Sequence, residues 1–441
     1  MNTIADPAVP ADPGRRIWLR HGLGVSINAS MTASLTASLT ASLAGSLTAT
    51  ITAPVSAALS AQPEVGKRLI VIMLRGALDG LSAVVPYTEA NYYKLRPTIA
   101  VPQPGEAGGA LDLDGRFGLH PSLAMLMPYF RDGRLGFVHA AGSPDPTRSH
   151  FDAQDYMESG TPGRKATGDG WLNRLLGALD YESLRLRAIN VGPVMPRIFA
   201  GAAPIATIAS GDAASRPTAI DQPAINASFG KLYQGDDAMS LAFREATATR
   251  KEIVAGLSGS DEQADNGAIS LRGFAQDAAR LGGLLRRDAR AHIGFIAVGG
   301  WDTHVNQGSA TGQLANKLGL LGDGLVALAK SLGERFAETT IVVMSEFGRT
   351  VRQNGNGGTD HGHGNLIWLL GGAVNGSAVH GTWPGLDESA LYEGRDLAVT
   401  TDFRLVLADI LQRQFKLSEN KLAQVLPGLP KATLNWSALR S

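Results

Sequence analysis

The sequence contains no cysteine. That excludes disulfides, thiolate metal sites, iron–sulfur clusters and a cysteine nucleophile, so any metal must be held by histidine, carboxylate or other oxygen ligands. A charge imbalance is missing too: 40 Lys+Arg stand against 40 Asp+Glu, and a net charge of zero offers nothing to a polyanion such as nucleic acid. Nowhere do the ~18 uninterrupted apolar residues of a membrane-spanning helix occur. Charged residues are scarce at 18% against 44% hydrophobic, the balance of a folded chain rather than a disordered one. The 441 residues suffice for one large domain or two to three small ones.

What is present begins with an address. Arg15-Arg16-Ile17-Trp18-Leu19-Arg20 is followed by a long run of Ala, Ser, Thr and Leu in which Thr-Ala-Ser-Leu occurs three times in succession. This reads as a twin-arginine export signal over residues 1–61, with cleavage near Ala61 and the export machinery as a partner. It predicts a periplasmic or secreted protein. The alternative is a low-complexity tail with an incidental Arg pair.

From residue 62 to 441 the pattern is that of a single domain. Arg68 to Leu74 is a short apolar run closed by Arg75-Gly76, as expected of a strand buried on both faces. The same reasoning gives a helix over 121–130 and strands over 135–140, 292–298, 339–344 and 366–370, with a helix over 151–159 and a long one over 311–336. Alternating strands and helices predict an α/β fold: a wound, mostly parallel sheet with helices on both faces. Residues 201–263, rich in Ala, Ser, Asp and Gly, read as an inserted cap segment.

Ligands of such sheets bind beyond the carboxyl ends of the strands, and the strand-end segments here are polar. Four of the nine histidines, His150, His304, His361 and His363, lie in them, and His120 is a fifth at their edge. Asp302 and His304 alternate along an extended segment and face one way, so both reach one ion; the bland reading is an Asp in a turn beside a surface His. Asp360-His361-Gly362-His363 offers three donors in four residues, or a polar turn. Imidazole with carboxylate suits zinc, manganese, calcium or another divalent ion. Asp79 and Glu346 follow strands, and each is a ligand or a turn residue. Ser149, ahead of the 151–159 helix, is either a nucleophile or an N-cap, and Arg75, Arg148 and Arg349 are either oxyanion ligands or structural. His139, inside a strand, reads as a satisfied core histidine.

Taken together, Arg75 to Gly80, Arg148-Ser149-His150-Phe151, Gly300-Trp301-Asp302-Thr303-His304, Ser345 to Thr350 and Asp360-His361 resemble the domain-of-unknown-function 1501 family, over nearly all of the chain beyond the leader. The resemblance implies an alkaline-phosphatase-like or sulfatase-like fold with one or two divalent ions at the carboxyl edge of its sheet. By position it implies Asp79, Asp302, His304, Asp360 and His361 as metal ligands, with Glu346 or His363 completing the set, and Ser149 as nucleophile. This chain departs from the superfamily pattern in three places. Asp302 and His304 are two apart rather than four, Glu346-Phe347 stands where Asp-His is expected, and no cysteine is available for a formylglycine. The expectation is an exported metal-dependent hydrolase of a small-molecule or glycan phosphate or related ester, with Arg349 stabilising developing charge. The rivals are a non-catalytic exported binding protein holding a glycan, a metal or an envelope partner on the same fold, and transfer chemistry on a phosphosugar.

Overall fold

A computed structural model of the protein describes residues 66–165, 167–180, 187–211, 223–237, 239–241, 244 and 268–440. The 1–61 leader and its cleavage site lie outside the described residues, as does much of the 201–263 segment, of which a helix at Pro223–Leu232 is described.

The strand Arg68–Leu74 (β1) is buried at every residue. Its period-2 alternation sends Ile70, Ile72 and Leu74 into one hydrophobic cluster and Leu69, Val71 and Met73 into another, so the sheet carries a core on each face. Helices Leu271–Arg287 and Gln313–Leu332 cover the first face; Trp171–Ala178, Phe403–Phe415 and Glu419–Val425 cover the second. A small antiparallel sheet is built from β2 (Val84–Val85), β3 (Leu111–Asp112) and β4 (Gly118–Leu119).

The remaining strands of the large sheet are β5 (Leu135–Gly142), β6 (Arg187–Val191), β7 (Ala206–Ile208), β8 (Ala291–Val298), β9 (Thr339–Ser345), β10 (Asn365–Gly371), β11 (Val379–His380) and β12 (Thr401–Asp402). They are ordered β11-β5-β10-β9-β1-β8-β6-β7, with β12 beside β5. Every pairing is parallel except those of β10, which runs antiparallel to both β5 and β9. No crossover helix separates β9 from β10, so the chain turns back at the carboxyl edge and returns beside the strand it has just left. Residues 346–364 therefore lie at the same edge as the ends of β1, β5, β8 and β9.

The wound, mostly parallel sheet with helices on both faces agrees with the sequence reading, and the differences are local. The strands β6 and β7 were not anticipated: they are short, and β6 buries a polar residue, Asn190, which bonds Val194 O and Thr207 Oγ1. The predicted 121–130 helix is a 3-10 segment, Pro121–Leu126, followed by a short helix, Met127–Arg131. Pro128 lacks an N–H and is accommodated only by restarting the helix with Pro in its first turn. The long helix ends at Leu332, where Gly333 turns to φ +54°.

His139 on β5 is fully satisfied as a neutral ring. Its Nε2–H donates to Val84 O at 2.9 Å, its Nδ1 accepts the Ala140 N–H at 3.2 Å, and Phe117 stacks on it at 5.3 Å. Burial, only partly opposed by the Val84 bond and by Asp79, pushes its pKa down to about 4. Relative to an unfolded histidine near ~6.5, the folded state prefers the neutral ring, so this stabilisation is complete above the unfolded value and is lost as pH falls toward the folded one. The linkage is on the order of 3 kcal/mol. We expect His139→Leu, compared with wild type by denaturant unfolding at neutral pH and near the folded pKa, to be destabilised at neutral pH but to lose less stability on acidification; parallel losses in the two proteins would contradict this.

Candidate metal centre

Four segments meet at the carboxyl edge. After β8 the chain runs through Gly299-Gly300 to Trp301, which is fully buried and donates its Nε1–H to Val298 O at 3.0 Å, fixing the direction in which Asp302 emerges. The loop after β1 presses against this backbone at Gly76, where a Cβ would lie 2.8 Å from Asp302 N and φ is +110°. Only glycine tolerates both conditions. Gly358 plays the same part opposite His304, whose carbonyl carbon is 2.3 Å from its would-be Cβ. His150 opens the helix His150–Ser159, and His361 arrives from the β9–β10 connection.

Each of three histidines has its Nδ1 held by a group that can only accept a proton. His150 Nδ1–H donates to Glu346 Oε1 at 2.7 Å, His304 Nδ1–H to Asp360 Oδ1 at 3.2 Å, and His361 Nδ1–H to Arg148 O at 2.9 Å. These acceptors fix one tautomer, leaving lone pairs on the three Nε2 atoms. The lone pairs converge. His361 Nε2 is 3.0 Å from His150 Nε2 and 3.1 Å from His304 Nε2. Asp302 Oδ1 lies 2.9 Å from His304 Nε2 and 3.3 Å from His361 Nε2, while its Oδ2 is 3.6 Å from His150 Nε2. Among the described residues, His150, Asp302 and His361 form a group whose donor atoms all lie within 4.8 Å of one another. Three nitrogen lone pairs and a carboxylate repel each other unless a proton or a metal ion sits among them, and this nitrogen-rich donor set fits zinc or a similar divalent ion.

The titration behaviour points the same way. Burial alone would lower the His150 imidazole, but its contacts with Asp302 and Glu346 outweigh this and raise it to about 9. Burial would likewise raise the Asp302 carboxyl, yet His150, His361 and Arg349 hold it far below the usual range. The centre thus welcomes positive charge, and protons compete there with any ion.

Asp302, His304 and His361 are brought together. Asp360 and Glu346 stand one bond further out, behind His304 and His150. Arg349 is buried, donating Nη1–H to Asp302 Oδ1 at 2.8 Å and Nε–H to Thr359 Oγ1 at 3.2 Å, while its Nη2 has no hydrogen-bond partner among the described residues. Asp79 is not brought to the cluster: it is fully buried against Arg96, Ser82 and Gln307. His363 is turned away, with Nε2 on Ser143 O at 3.1 Å and its ring against Tyr392. The Ser149 hydroxyl caps its helix by accepting the Asp152 N–H at 3.4 Å. His150 was visible in the sequence as a strand-end histidine but was not placed in the ligand set, because the serine beside it drew the functional reading. Gln307 and Arg96 carried no local signal.

The sequence model of a family described as "Protein of unknown function (DUF1501)" matches residues 120–427. No curated protein matches the chain. Among solved structures, the C-terminal periplasmic domain of EcEptC from Escherichia coli is similar at 10% identity and TM-score 0.36, covering 84% of this chain and 90% of that one. The structure titled Ps i-CgsB in complex with k-i-k-neocarrahexaose is similar at 12% identity and TM-score 0.35, covering 81% and 74%. A protein of the alkaline phosphatase superfamily from Vibrio parahaemolyticus is similar at 10% identity and TM-score 0.35, covering 70% and 62%. At this distance the chemistry has to be read from the chain's own residues.

Outer-sphere partners of ligating histidines typically control metal affinity by 10–100-fold. Glu346→Gln should therefore weaken zinc binding by roughly ten-fold or more in a chelator-competition titration, whereas His363→Gln, remote from the cluster, should leave it unchanged.

Proposed function

The chain belongs to the DUF1501 family, and on that footing we propose that it is an exported, metal-dependent hydrolase of a phosphate or related ester. The observation that carries this reading is the Arg349 Nη2: a buried guanidinium N–H without a protein partner, on the same side chain that bonds Asp302 beside the converging Nε2 atoms. A buried guanidinium N–H left unpaired is costly, and an ester's anionic oxygen is a partner it suits.

A divalent ion held by His150, Asp302, His361 and His304 would supply Lewis acidity toward the ester oxygens and toward an attacking hydroxyl. The protein's own groups do the rest. Arg349 orients the anionic oxygen and stabilises the charge that grows on it. Glu346, Asp360 and the Arg148 carbonyl keep the three rings in one tautomer through the reaction. The attacking hydroxyl is that of Ser149 or of water. Ser149 is suitably tethered, lying between Arg148, whose carbonyl holds His361, and His150 itself. Attack forms the new bond to phosphorus or sulfur as the attacking hydroxyl gives up its proton, and the bond to the leaving alcohol breaks as that alcohol takes one up; where Ser149 attacks, water then cleaves the serine ester, releasing the acid and restoring the hydroxyl. Residues 1–61 direct the folded protein through the twin-arginine route to the periplasm or beyond.

The purified chain, supplied with zinc, manganese or calcium, is expected to turn over members of a panel of aryl phosphates, phosphodiesters and aryl sulfates. His361→Ala should lower kcat/KM by at least ~10³-fold while the far-UV dichroism stays unchanged, and Ser149→Ala separates serine from water as the attacking group. A protein that holds its ion but cleaves nothing in the panel is instead an exported binding protein. Lysine at both Arg15 and Arg16 should stop appearance of the protein outside the cytoplasm in a twin-arginine-competent host, measured by fractionation; unimpaired export would remove that part of the reading.

A further inference from the structure

Asp79 follows β1 at the same sheet edge as the histidine cluster, yet both oxygens of its carboxylate are committed to protein donors. Arg96 donates from Nη1 at 2.6 Å and Nη2 at 3.1 Å, Ser82 Oγ at 2.8 Å and Gln307 Nε2 at 2.7 Å. Oδ2 accepts three of these bonds and Oδ1 one, so both oxygens are engaged and the Arg96 guanidinium spans the two of them. Both Asp79 and Arg96 are fully buried, and Arg96 spends its remaining N–H groups on Val351 O and Thr350 O, each at 2.8 Å. A guanidinium held from both sides thus occupies the space a cation would need to reach Asp79.

The pair is wired to the cluster through Gln307. Because its Nε2 must face the Asp79 carboxylate, its Oε1 faces the other way and accepts from Thr303 Oγ1 at 2.8 Å and Thr359 Oγ1 at 2.9 Å. Thr359 Oγ1 in turn accepts the Arg349 Nε–H, and Arg349 Nη1 reaches Asp302. The hydroxyls and amide of this buried line hold one consistent orientation from Asp79 to Asp302. Glu346 is engaged in a similar way: its Oε1 accepts from His150, from Gly76 N at 2.8 Å and from Gln154 Nε2 at 3.1 Å, and its Oε2 lies 2.9 Å from Ser345 Oγ, whose hydrogen it shares with Leu74 O.

We infer that the centre takes one divalent ion per chain, held among His150, Asp302, His361 and His304, and that Arg96 closes the Asp79 position to a second ion, leaving the Arg349 guanidinium as the fixed positive charge beside the first. This rests on the metal-dependent reading above but not on ester hydrolysis. The test is done on the whole chain, stripped with chelator and titrated with zinc, read by native mass spectrometry and zinc-edge X-ray absorption. One zinc per chain is expected, with an imidazole-rich nitrogen and oxygen shell and no metal neighbour at the ~3.5–4 Å of paired-ion sites. Asp79→Asn should keep its one zinc. Two ions held at micromolar free zinc, a metal–metal feature in the spectrum, loss of zinc from folded Asp79→Asn, or no zinc at all would each overturn the inference. Should Asp79→Asn fail to fold, the wild-type count and spectrum decide alone. A one-zinc protein inactive on every ester removes the hydrolase reading and leaves this one standing; a two-zinc hydrolase does the reverse.

Discussion

Three hydrogen bonds from imidazole Nδ1 atoms organise the functional edge of this protein. Their acceptors, the Glu346 and Asp360 carboxylates and the Arg148 carbonyl, cannot donate, so each ring is forced to carry its proton away from its neighbours. The Nε2 lone pairs are then directed at one another across 3.0 and 3.1 Å. A cluster of like lone pairs is unfavourable by itself; it persists because the surrounding loops over-determine the ring positions. The polarity of the edge follows from that choice: Glu346 and Asp360 outside, the imidazoles and Asp302 inside, and the buried Arg349 guanidinium beside Asp302.

The sheet supports this arrangement through a single reversal. If β10 ran parallel to β9, a crossover would carry the chain to the amino edge before it descended, and His361 would be lost from the centre. Because the chain turns back directly, residues 348–349 pair with 361–363 in a short antiparallel contact, seen in the Arg349–His361 bridge and the Gly348–His363 and Gly362–Gly348 bonds. Arg349 and His361 are thereby fixed against each other by backbone rather than by side-chain packing, and Asp302 accepts from Arg349 beside His361.

Much of this was legible in the sequence, and the reasons are physical. Strands such as β1 and β9 are uninterrupted apolar runs because both faces are buried, so they announce themselves; β6, with Asn190 at its heart, does not. Asp302, His304 and His361 follow or precede such strands, and the rule that ligands gather at strand ends found them. The same rule also pointed to Asp79 and His363, which the structure commits to Arg96 and to the Ser143 carbonyl. Position relative to a strand does not reveal which side chain is already partnered. Asp79 and Arg96 are 17 residues apart, and Gln307 is 228 residues from Asp79, so no local pattern connects them. The Asp360-His361-Gly362-His363 run shows the same limit, since neighbouring donors in a tight loop point in different directions and only one of them reaches the centre.

The direction of β10 also sets an order of events. Its place in the sheet lies between β5 and β9, so its pairing is complete only when the strand some twenty residues before it and the strand more than two hundred residues before it are both in position. His150 and His361 are 211 residues apart, and they meet when β10 slots in. The donor cluster is thus among the last features a newly made chain acquires, since contacts of such long range form late in folding. A partly folded or truncated chain presents scattered imidazoles that no ion can bridge. Completion of the cluster therefore reports that β5, β8 and β10 have taken their places, so the donor set is a mark of a finished edge.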